Sequence, residues 1–326
     1  MLFKSFHLIL YSGIIFSLLG ILDIFFVIFK PNLYIALHSL DNAGNGTGAS
    51  LGAYGNIFRS RGYFVEPNEF TQYLLLPIGY LFSKFYVSTL YKSTVKNTSY
   101  AIYGVILIAG MLSTFSRGGL LGIFGMLLAL LAFSFSMHQK DLEANKSLNL
   151  FFTKLFKLGL LIFIFCIILI YIFDIDLLGL VDLFILRFFS LFSSSDYSAN
   201  FRFEVIQTGL NIISQDFMSL FFGIGPGNLD VSLVSEATTG NQFIDIIVET
   251  GLFGLFCYLL IVIYAVRKFF AVSAIFLYKQ DYQSLQVSLG FFLGLIGLMF
   301  GGMTYSTHSL FFFWINLSLL LASIDL

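Results

Sequence analysis

The chain of 326 residues is 58% apolar and only 11% charged, whereas an ordinary soluble domain carries about 25% charged residues. This composition, with a mean hydropathy of +0.91, excludes a soluble enzyme, a secreted module and a disordered chain. The net charge of −1 excludes a nucleic-acid-binding protein, because no basic patch forms. The sequence therefore predicts an all-α integral membrane protein, since each span needs about 20 apolar residues.

Apolar runs of spanning length occur eight times, and we interpret each one as a transmembrane helix. They lie at about residues 6–29, 70–90, 98–115, 118–136, 155–173, 243–266, 285–303 and 308–324. No small-residue cleavage site follows the first run, which indicates a retained helix rather than a signal peptide. Residues 1–326 are thus expected to form a single membrane domain, a polytopic bundle of about eight helices.

Lysine and arginine residues predict the orientation of this bundle, because cytoplasmic loops carry an excess of both. With the N-terminus inside, eleven basic residues lie on the cytoplasmic side and six outside, which favours an N-in, C-in topology. Ten of the eleven inner residues are lysine, and five of the six outer ones are arginine. A guanidinium binds phosphate or carboxylate with two parallel hydrogen bonds. The sorting therefore favours an outer site for an anionic ligand, with a sampling accident as the alternative.

Two long outer loops follow from this topology, at residues 30–69 and 174–242. Loops of this length in a compact protein are usually functional. The second loop predicts an amphipathic helix headed by Arg202, because apolar residues recur every three or four positions. These residues are Ile206, Leu210, Ile213, Phe217 and Leu220. We interpret the apolar segment 175–192 before it as interfacial or re-entrant, with a ninth span as the alternative.

One candidate anion site is Ser116-Arg117-Gly118-Gly119, at the outer turn between the third and fourth predicted spans. A helix that begins here points its free N–H groups and the positive end of its dipole outward. The two glycines allow a ligand to approach closely. The alternative is a tight turn with an interfacial arginine.

A second candidate group consists of Arg59 and Arg61, followed by Glu66-Pro67-Asn68-Glu69. Pro67 and the acidic residues suit the first turn of a helix, so capping is the alternative to a catalytic role for Glu66. Capping leaves the arginine pair unexplained, because positive charge on an outer loop works against the predicted orientation.

A third candidate group is formed by Asn241, Asp245 and Glu249, whose spacing places them on one face of the sixth predicted span. Carboxylates within a span are costly in lipid, so they face the bundle interior or a wet cavity. Glu249 is a candidate general base, with an internal ion pair as the alternative. His308, at the start of the last span, is a weaker candidate base. Neither metal-ligand spacing nor a nucleotide-binding loop occurs, so no cofactor is expected.

Three stretches in this order resemble the O-antigen ligase and polymerase family of bacterial polysaccharide membrane enzymes. They are residues 113–121, Arg202 with residues 223–228, and residues 241–243 with 249–254. Residues 66–70 are similar to another segment common in these proteins, so the resemblance covers about residues 58–265. Ligases of the family usually carry a histidine where this chain has Asn241, which favours a polymerase over a ligase.

The resemblance implies glycosyl transfer at the outer face of the bacterial cytoplasmic (inner) membrane. The implied donor is an oligosaccharide on undecaprenyl diphosphate, and the implied acceptor is another lipid-linked repeat unit of an O-antigen, capsule or exopolysaccharide. The leaving group is already activated, so neither a nucleotide nor a metal is needed. Membrane lipid and the flippase and chain-length regulator of the same pathway are the expected partners.

The resemblance also implies roles for individual residues. Arg117 and Arg202 would bind the diphosphate with support from Arg59 or Arg61, while Glu249 or Glu66 would act as the base. Asn241 would position the acceptor, and Ser116, Gly118, Asp245 and His308 would support the site.

Three other functions stay open at this point. An O-antigen ligase would transfer the glycan to lipid A core or another acceptor. An ion-coupled transporter or flippase would use buried Asp23, Asp245 and Glu249 as an ion path, but this class expects inverted repeats, and the sequence contains no internal repeat. A membrane assembly subunit would have no catalytic activity.

The topology is tested by single-cysteine labelling in intact cells. We expect positions 92, 146 and 268 to react only after permeabilisation, and positions 46, 117 and 200 to react without it. Labelling of position 200 only in permeabilised cells would contradict the outer-site prediction.

Overall fold

The computed structural model describes residues 2–29, 60, 64, 66–90, 98–114, 116–138, 153, 197–228, 240–305 and 311–325. This part of the chain is helical and contains no strand. Its helices are α1 (Leu2–Phe29), α2 (Pro67–Leu90), α3 (Thr98–Leu112), α4 (Arg117–His138), α5 (Tyr197–Ile213), α6 (Phe217–Phe222), α7 (Gln242–Tyr278), α8 (Tyr282–Gly301) and α9 (Phe311–Ile324).

Several of these helices are suited to a membrane. Four of them contain segments long and apolar enough to cross it: Lys4–Asp23, Arg117–Met137, Gln242–Tyr278 and Tyr282–Gly301. Ser99–Leu112 and Phe311–Ile324 are shorter apolar helices. The described part of the chain is therefore all-helical, as predicted, and its apolar helices support a multi-pass membrane protein, while the count of eight spans and their orientation stay predictions. The span predicted at residues 155–173 lies outside the described residues.

The other seven predicted spans correspond to helices, and the largest difference concerns the sixth. Its predicted end was residue 266, but α7 continues to Tyr278. The basic residues after 266 do not end the helix, because lysine and arginine are good helix formers. Lys268 forms an ion pair with Asp325, and its ammonium lies 5.7 Å from the ring centroid of Tyr264.

Helix α8 lies at the centre of the bundle and is mostly buried. Its four glycines, Gly290, Gly294, Gly297 and Gly301, recur every three or four residues and so share one face. Small residues let transmembrane helices approach closely, which matters because apolar burial alone does not drive association within lipid. The contact with α2 is the closest: a Cβ atom at Gly79 would lie 2.8 Å from the backbone nitrogen of Gly294.

The predicted amphipathic helix in the second long loop differs from the structure. Two helices occupy its place, because α5 ends at Ile213 and Asp216 caps a new helix, α6. The buried face of α5 carries Val205 and Ile213, whereas Leu210 and Phe217 are exposed. Arg202 is not the head of the helix, since α5 begins at Tyr197. The apolar residues recur every three or four positions from 206 to 220, so the sequence pattern does not reveal that one helix ends at Ile213 and that Asp216 caps the next.

The α2–α8 contact predicts that Gly79→Ala is destabilising. The new methyl group would meet the backbone of α8, so the two helices must separate, at a cost of about 1–3 kcal/mol for overpacking. Gly294→Ala is the matched control in the same contact, because its Cβ would meet only the side chains of Leu76 and Asn316, at 3.2–3.4 Å. Thermal unfolding in detergent should show the lower Tm for Gly79→Ala. Equal Tm values would contradict the proposed backbone clash.

Candidate active site

The first turns of three helices and the last turn of a fourth meet at one end of the bundle. Helices α2, α4 and α7 begin there and α8 ends there, and we call this region the polar end. Hydrogen bonds link the first two helices: the Ser116 hydroxyl donates to Asn68 Oδ1 at 3.0 Å, and the Thr71 hydroxyl donates to Thr114 Oγ1 at 2.6 Å. The Tyr305 hydroxyl, just beyond α8, donates to Glu69 Oε1 at 3.2 Å.

Three helix N-termini at one end place partial positive charges in this region, beside the Glu69 carboxylate and the C-terminal end of α8. Each N-terminus carries about half a positive charge from its unpaired N–H groups. Helix α2 begins with Pro67, as the sequence predicted, and α4 begins with Arg117 directly after the turn at 113–116. Arg117 is partly exposed, whereas Ser116 and Gly118 are buried. Arg117 is thus the most exposed of these three residues.

The two glycines of this motif lie against protein atoms. A Cβ at Gly118 would lie 2.5 Å from Thr304 Oγ1, and one at Gly119 would lie 2.2 Å from Thr71 Cγ2. Both positions therefore serve the close packing of α4 against α2 and the end of α8. This arrangement fits the tight-turn interpretation of the glycines and leaves Arg117 as the candidate for anion binding.

The chain around Arg59 and Arg61 is tied to the same turn. Both arginines lie outside the described residues, but Ser60 between them is fully buried. The Ser60 N–H donates to the carbonyl of Ser113 at 3.0 Å, and its hydroxyl donates to Asp23 Oδ2 at 3.3 Å. The backbone between the two arginines thus lies beside the turn that leads to Arg117.

Asn241 caps α7. Its Oδ1 accepts hydrogen bonds from the N–H groups of Phe243 at 3.0 Å and Ile244 at 3.4 Å. The next residue, Gln242, donates its N–H to the carbonyl of Gly302 at 2.8 Å. The start of α7 is therefore attached to the end of α8. The side chain of Asn241 has a structural role, whatever it does toward a substrate.

Helix α7 is interrupted at Gly251, whose φ of 70° and ψ of −174° belong to a region that essentially only glycine occupies. The carbonyls of Val248 and Glu249, just before the break, accept hydrogen bonds from the N–H groups of Ile224 and Gly225, each at 2.9 Å. The segment 223–228 thus satisfies backbone acceptors at the break.

Glu249 also binds this segment through its side chain, because Oε1 accepts a hydrogen bond from the N–H of Gly227 at 3.2 Å. Glu249 is half-buried, whereas Asp245, one turn earlier in α7, is almost fully buried, with 2% exposure. The three polar residues on this face of α7 therefore differ in surroundings. Asn241 caps the helix, Asp245 lies within the bundle, and Glu249 holds a loop.

Helix α6 and the segment after it pack tightly on the break. A Cβ at Gly223 would lie 2.3 Å from the backbone carbonyl of Glu249, and one at Gly251 would lie 2.2 Å from the carbonyl oxygen of Phe221. Asp216 caps α6, and the backbone N–H and hydroxyl of Ser219 hold the pKa of the Asp216 carboxyl below its usual value.

The structure does not bring every predicted residue into view. His308 lies outside the described residues, and so does the side chain of Arg202, although its helix α5 packs on α7. Glu66 is exposed just before α2. Among the described residues, no group of three histidine, cysteine or acidic side chains is placed to hold a metal ion.

Sequence reasoning missed Gln72, which is fully buried at the polar end. A Cβ at Gly301 would lie 2.4 Å from its Oε1 atom, and one at Gly118 would lie 3.0 Å from its Nε2 atom. Neither side-chain atom has a hydrogen-bond partner among the described residues. A side-chain amide inside an apolar run is costly in lipid. The presence of Gln72 within the predicted span 70–90 could therefore have indicated a residue that faces the bundle interior.

Residues 102–259 match the family model described as O-antigen ligase. No curated protein and no solved structure matches the chain. The matched stretch contains Arg117, Arg202, Asn241 and Glu249, whereas Glu66 precedes it. The resemblance that the motifs indicated is therefore confirmed over residues 102–259, where the chain matches an O-antigen ligase domain.

The glycine at the break of α7 predicts a large effect of Gly251→Ala. Alanine would pay about 1–3 kcal/mol for the backbone conformation, and its Cβ would also clash with Phe221. Gly227→Ala is the matched control, because Gly227 also has a positive φ, of 76°, but has nothing within 4 Å of its Cβ position.

Thermal unfolding and limited proteolysis of the purified protein measure this difference. Gly251→Ala should lower Tm further than Gly227→Ala does and should open residues 223–228 to cleavage. Equal losses of Tm in the two variants would show that the contact with Phe221 adds nothing.

Proposed function

We propose, from the O-antigen ligase domain that this chain carries, that it is a polysaccharide polymerase of the bacterial cytoplasmic membrane. It transfers a glycan from undecaprenyl diphosphate to a hydroxyl group of another lipid-linked repeat unit. The reaction takes place at the outer face, where the N-in, C-in topology puts the polar end. The family match over residues 102–259 is the observation that carries the proposal.

The proposed reaction needs two kinds of side chain. The acceptor oxygen forms a bond to the anomeric carbon of the donor glycan, while the bond from that carbon to the diphosphate oxygen breaks. Negative charge builds up on the leaving diphosphate, and preorganised cations stabilise it. The proton of the acceptor hydroxyl passes to a general base.

Four arginines are the proposed cations. Arg117 is partly exposed at the start of α4, and the backbone between Arg59 and Arg61 is hydrogen-bonded to the preceding turn through Ser60. Arg202 belongs to α5, which packs on α7. Ser60, between Arg59 and Arg61, and Arg117 thus lie at one turn, and Arg202 belongs to a helix that packs on α7.

Glu249 is the proposed base, with Glu66 as the second candidate. Glu249 lies at the break of α7, where its Oε1 accepts the N–H of Gly227. A carboxylate has two oxygens and several acceptor positions, so it can bind a backbone N–H and an acceptor hydroxyl at once. Asp245, which is buried one turn nearer the start of α7, adds negative charge to the same face. Asn241 positions the acceptor from the start of α7.

A ligase is the second candidate function, and the description of the matching family favours it. Such an enzyme transfers the same donor glycan to lipid A core or to another acceptor. Ligases that resemble this chain usually carry a histidine where it has Asn241, which favours the polymerase.

Reconstitution with a purified lipid-linked repeat unit tests the polymerase proposal. We expect a ladder of longer lipid-linked glycans without a nucleotide or another acceptor. Product formation only after lipid A core is added would identify a ligase instead. Ion-dependent translocation of the substrate without covalent transfer would overturn both enzyme proposals.

Arg117→Ala and Arg202→Ala should each abolish polymer formation while the protein still inserts into the membrane. Arg→Lys should restore little activity, because an ammonium group lacks the planar two-pronged contact. Arg267→Ala is the control, since this exposed arginine lies beyond residue 266 of α7, far from the break. Polymer length and yield from membranes measure the effect. Full activity of both lysine variants would show that charge alone suffices.

Glu249→Gln separates a catalytic role from a structural one. Glutamine keeps an acceptor for the Gly227 N–H but cannot take a proton at neutral pH, so turnover should fall by about 100-fold or more with little change in Tm. Glu249→Ala is the companion variant and should lower Tm as well, because it removes that acceptor. If Glu249→Gln loses stability, the carboxylate instead neutralises a buried positive charge. A stable and active Glu249→Gln protein would make Glu66 the base.

A further inference from the structure

A cluster of apolar side chains is exposed beside the break of α7. It consists of Phe217, Met218, Phe221, Phe222 and Phe253, which we call the aromatic patch. Phe217 is 71% exposed, Met218 65% and Phe222 56%. The rings contact one another, with centroids of Phe221 and Phe253 6.0 Å apart and those of Phe217 and Phe221 5.9 Å apart. Contiguous exposed apolar surface of this kind marks a binding surface.

The aromatic patch continues into the exposed side of α7. From Phe253 onward, exposed apolar residues recur along this helix at Phe256, Leu260 and Tyr264, three or four residues apart on one face. Because α7 is long and apolar enough to cross a membrane, this face is suited to contact with lipid tails. The ring contacts of Phe221 and Phe222 with Phe253 extend the same surface to α6.

The polar groups of α6 are arranged for the edge of a membrane. The only polar side chain within the helix is that of Ser219, and its hydroxyl donates to Asp216 Oδ2 at 2.7 Å. The N–H of Gly223 donates to the carbonyl of Ser219 at 2.8 Å. The preceding residues Ser214, Gln215 and Asp216 are exposed and polar. One end of α6 thus suits water and its side chains suit lipid.

We infer that the aromatic patch is inserted into the membrane, in the leaflet at which α7 begins. Its occupant is bilayer lipid, because the patch continues a surface that a membrane-crossing helix presents to lipid. The inference does not depend on the proposed function.

The insertion would fix the depth of neighbouring groups. Segment 223–228 follows α6 directly and is hydrogen-bonded to Val248 and Glu249. Anchoring α6 in lipid therefore holds the Glu249 carboxylate close to the headgroup level, where the linkage between a lipid and its polar group lies.

Tryptophan fluorescence in lipid nanodiscs tests the insertion. The chain has one tryptophan, so Trp314→Phe provides a silent background for single probes Phe217→Trp and Phe222→Trp. Phosphatidylcholine brominated near the glycerol backbone or near the tail end reports contact with lipid at two depths, and aqueous iodide reports contact with water. Phe256→Trp on α7 is the lipid control, and Thr208→Trp on the exposed side of α5 is the water control.

We expect shallow bromines to quench both patch probes more strongly than deep bromines do. Iodide quenching of these probes should be several-fold weaker than that of the Thr208→Trp protein. Strong iodide quenching with little bromine quenching would overturn the inference, because the patch would then face water. Protection from both quenchers would also overturn it, because a second copy or another protein would then cover the patch.

Discussion

Every backbone carbonyl within a membrane needs a hydrogen-bond partner, because lipid offers none. The run of backbone hydrogen bonds within helix α7 is interrupted at Gly251. The carbonyls of Val248 and Glu249 instead accept hydrogen bonds from the N–H groups of Ile224 and Gly225. These hydrogen bonds require glycine at positions 223 and 251, because Gly223 lies against the backbone of Glu249 and Gly251 lies against the backbone of Phe221. It attaches the loop after α6 to the membrane bundle.

Around this attachment the proposed base and the aromatic patch lie close together. On one side of the break, Glu249 binds Gly227 through its carboxylate. On the other side, Phe253 contacts the rings of α6. The proposed reaction would use both features, because the bond to be broken in it joins a membrane-bound carrier to a hydrated glycan.

The polar end depends on close packing of a different kind. Glycines of α4 and α8 let side chains such as Gln72 and Thr71 fill the space between helices. This packing brings the start of α4 next to the end of α8, and the N–H of Gln242 attaches α7 there. A group of residues from distant parts of the chain is thus held together by close helix packing and by the Gln242–Gly302 hydrogen bond, with the partly exposed Arg117 at its edge.

The sequence by itself determined the membrane class, most of the helices and the family. Apolar runs long enough to cross lipid can fold in few other ways. The order of short motifs can be read from the chain without knowing which residues are in contact. It also located the start of α2 at Pro67 and the turn before Arg117, because these signals are local. Only the tertiary structure decided the break at Gly251, the end of α5 and the burial of Gln72. Glycine is common in transmembrane helices, so Gly251 does not mark a break in the sequence pattern. The break is stabilised by hydrogen bonds from Ile224 and Gly225 to the carbonyls just before it. Hydrogen bonds between such distant residues leave no periodic pattern along the chain.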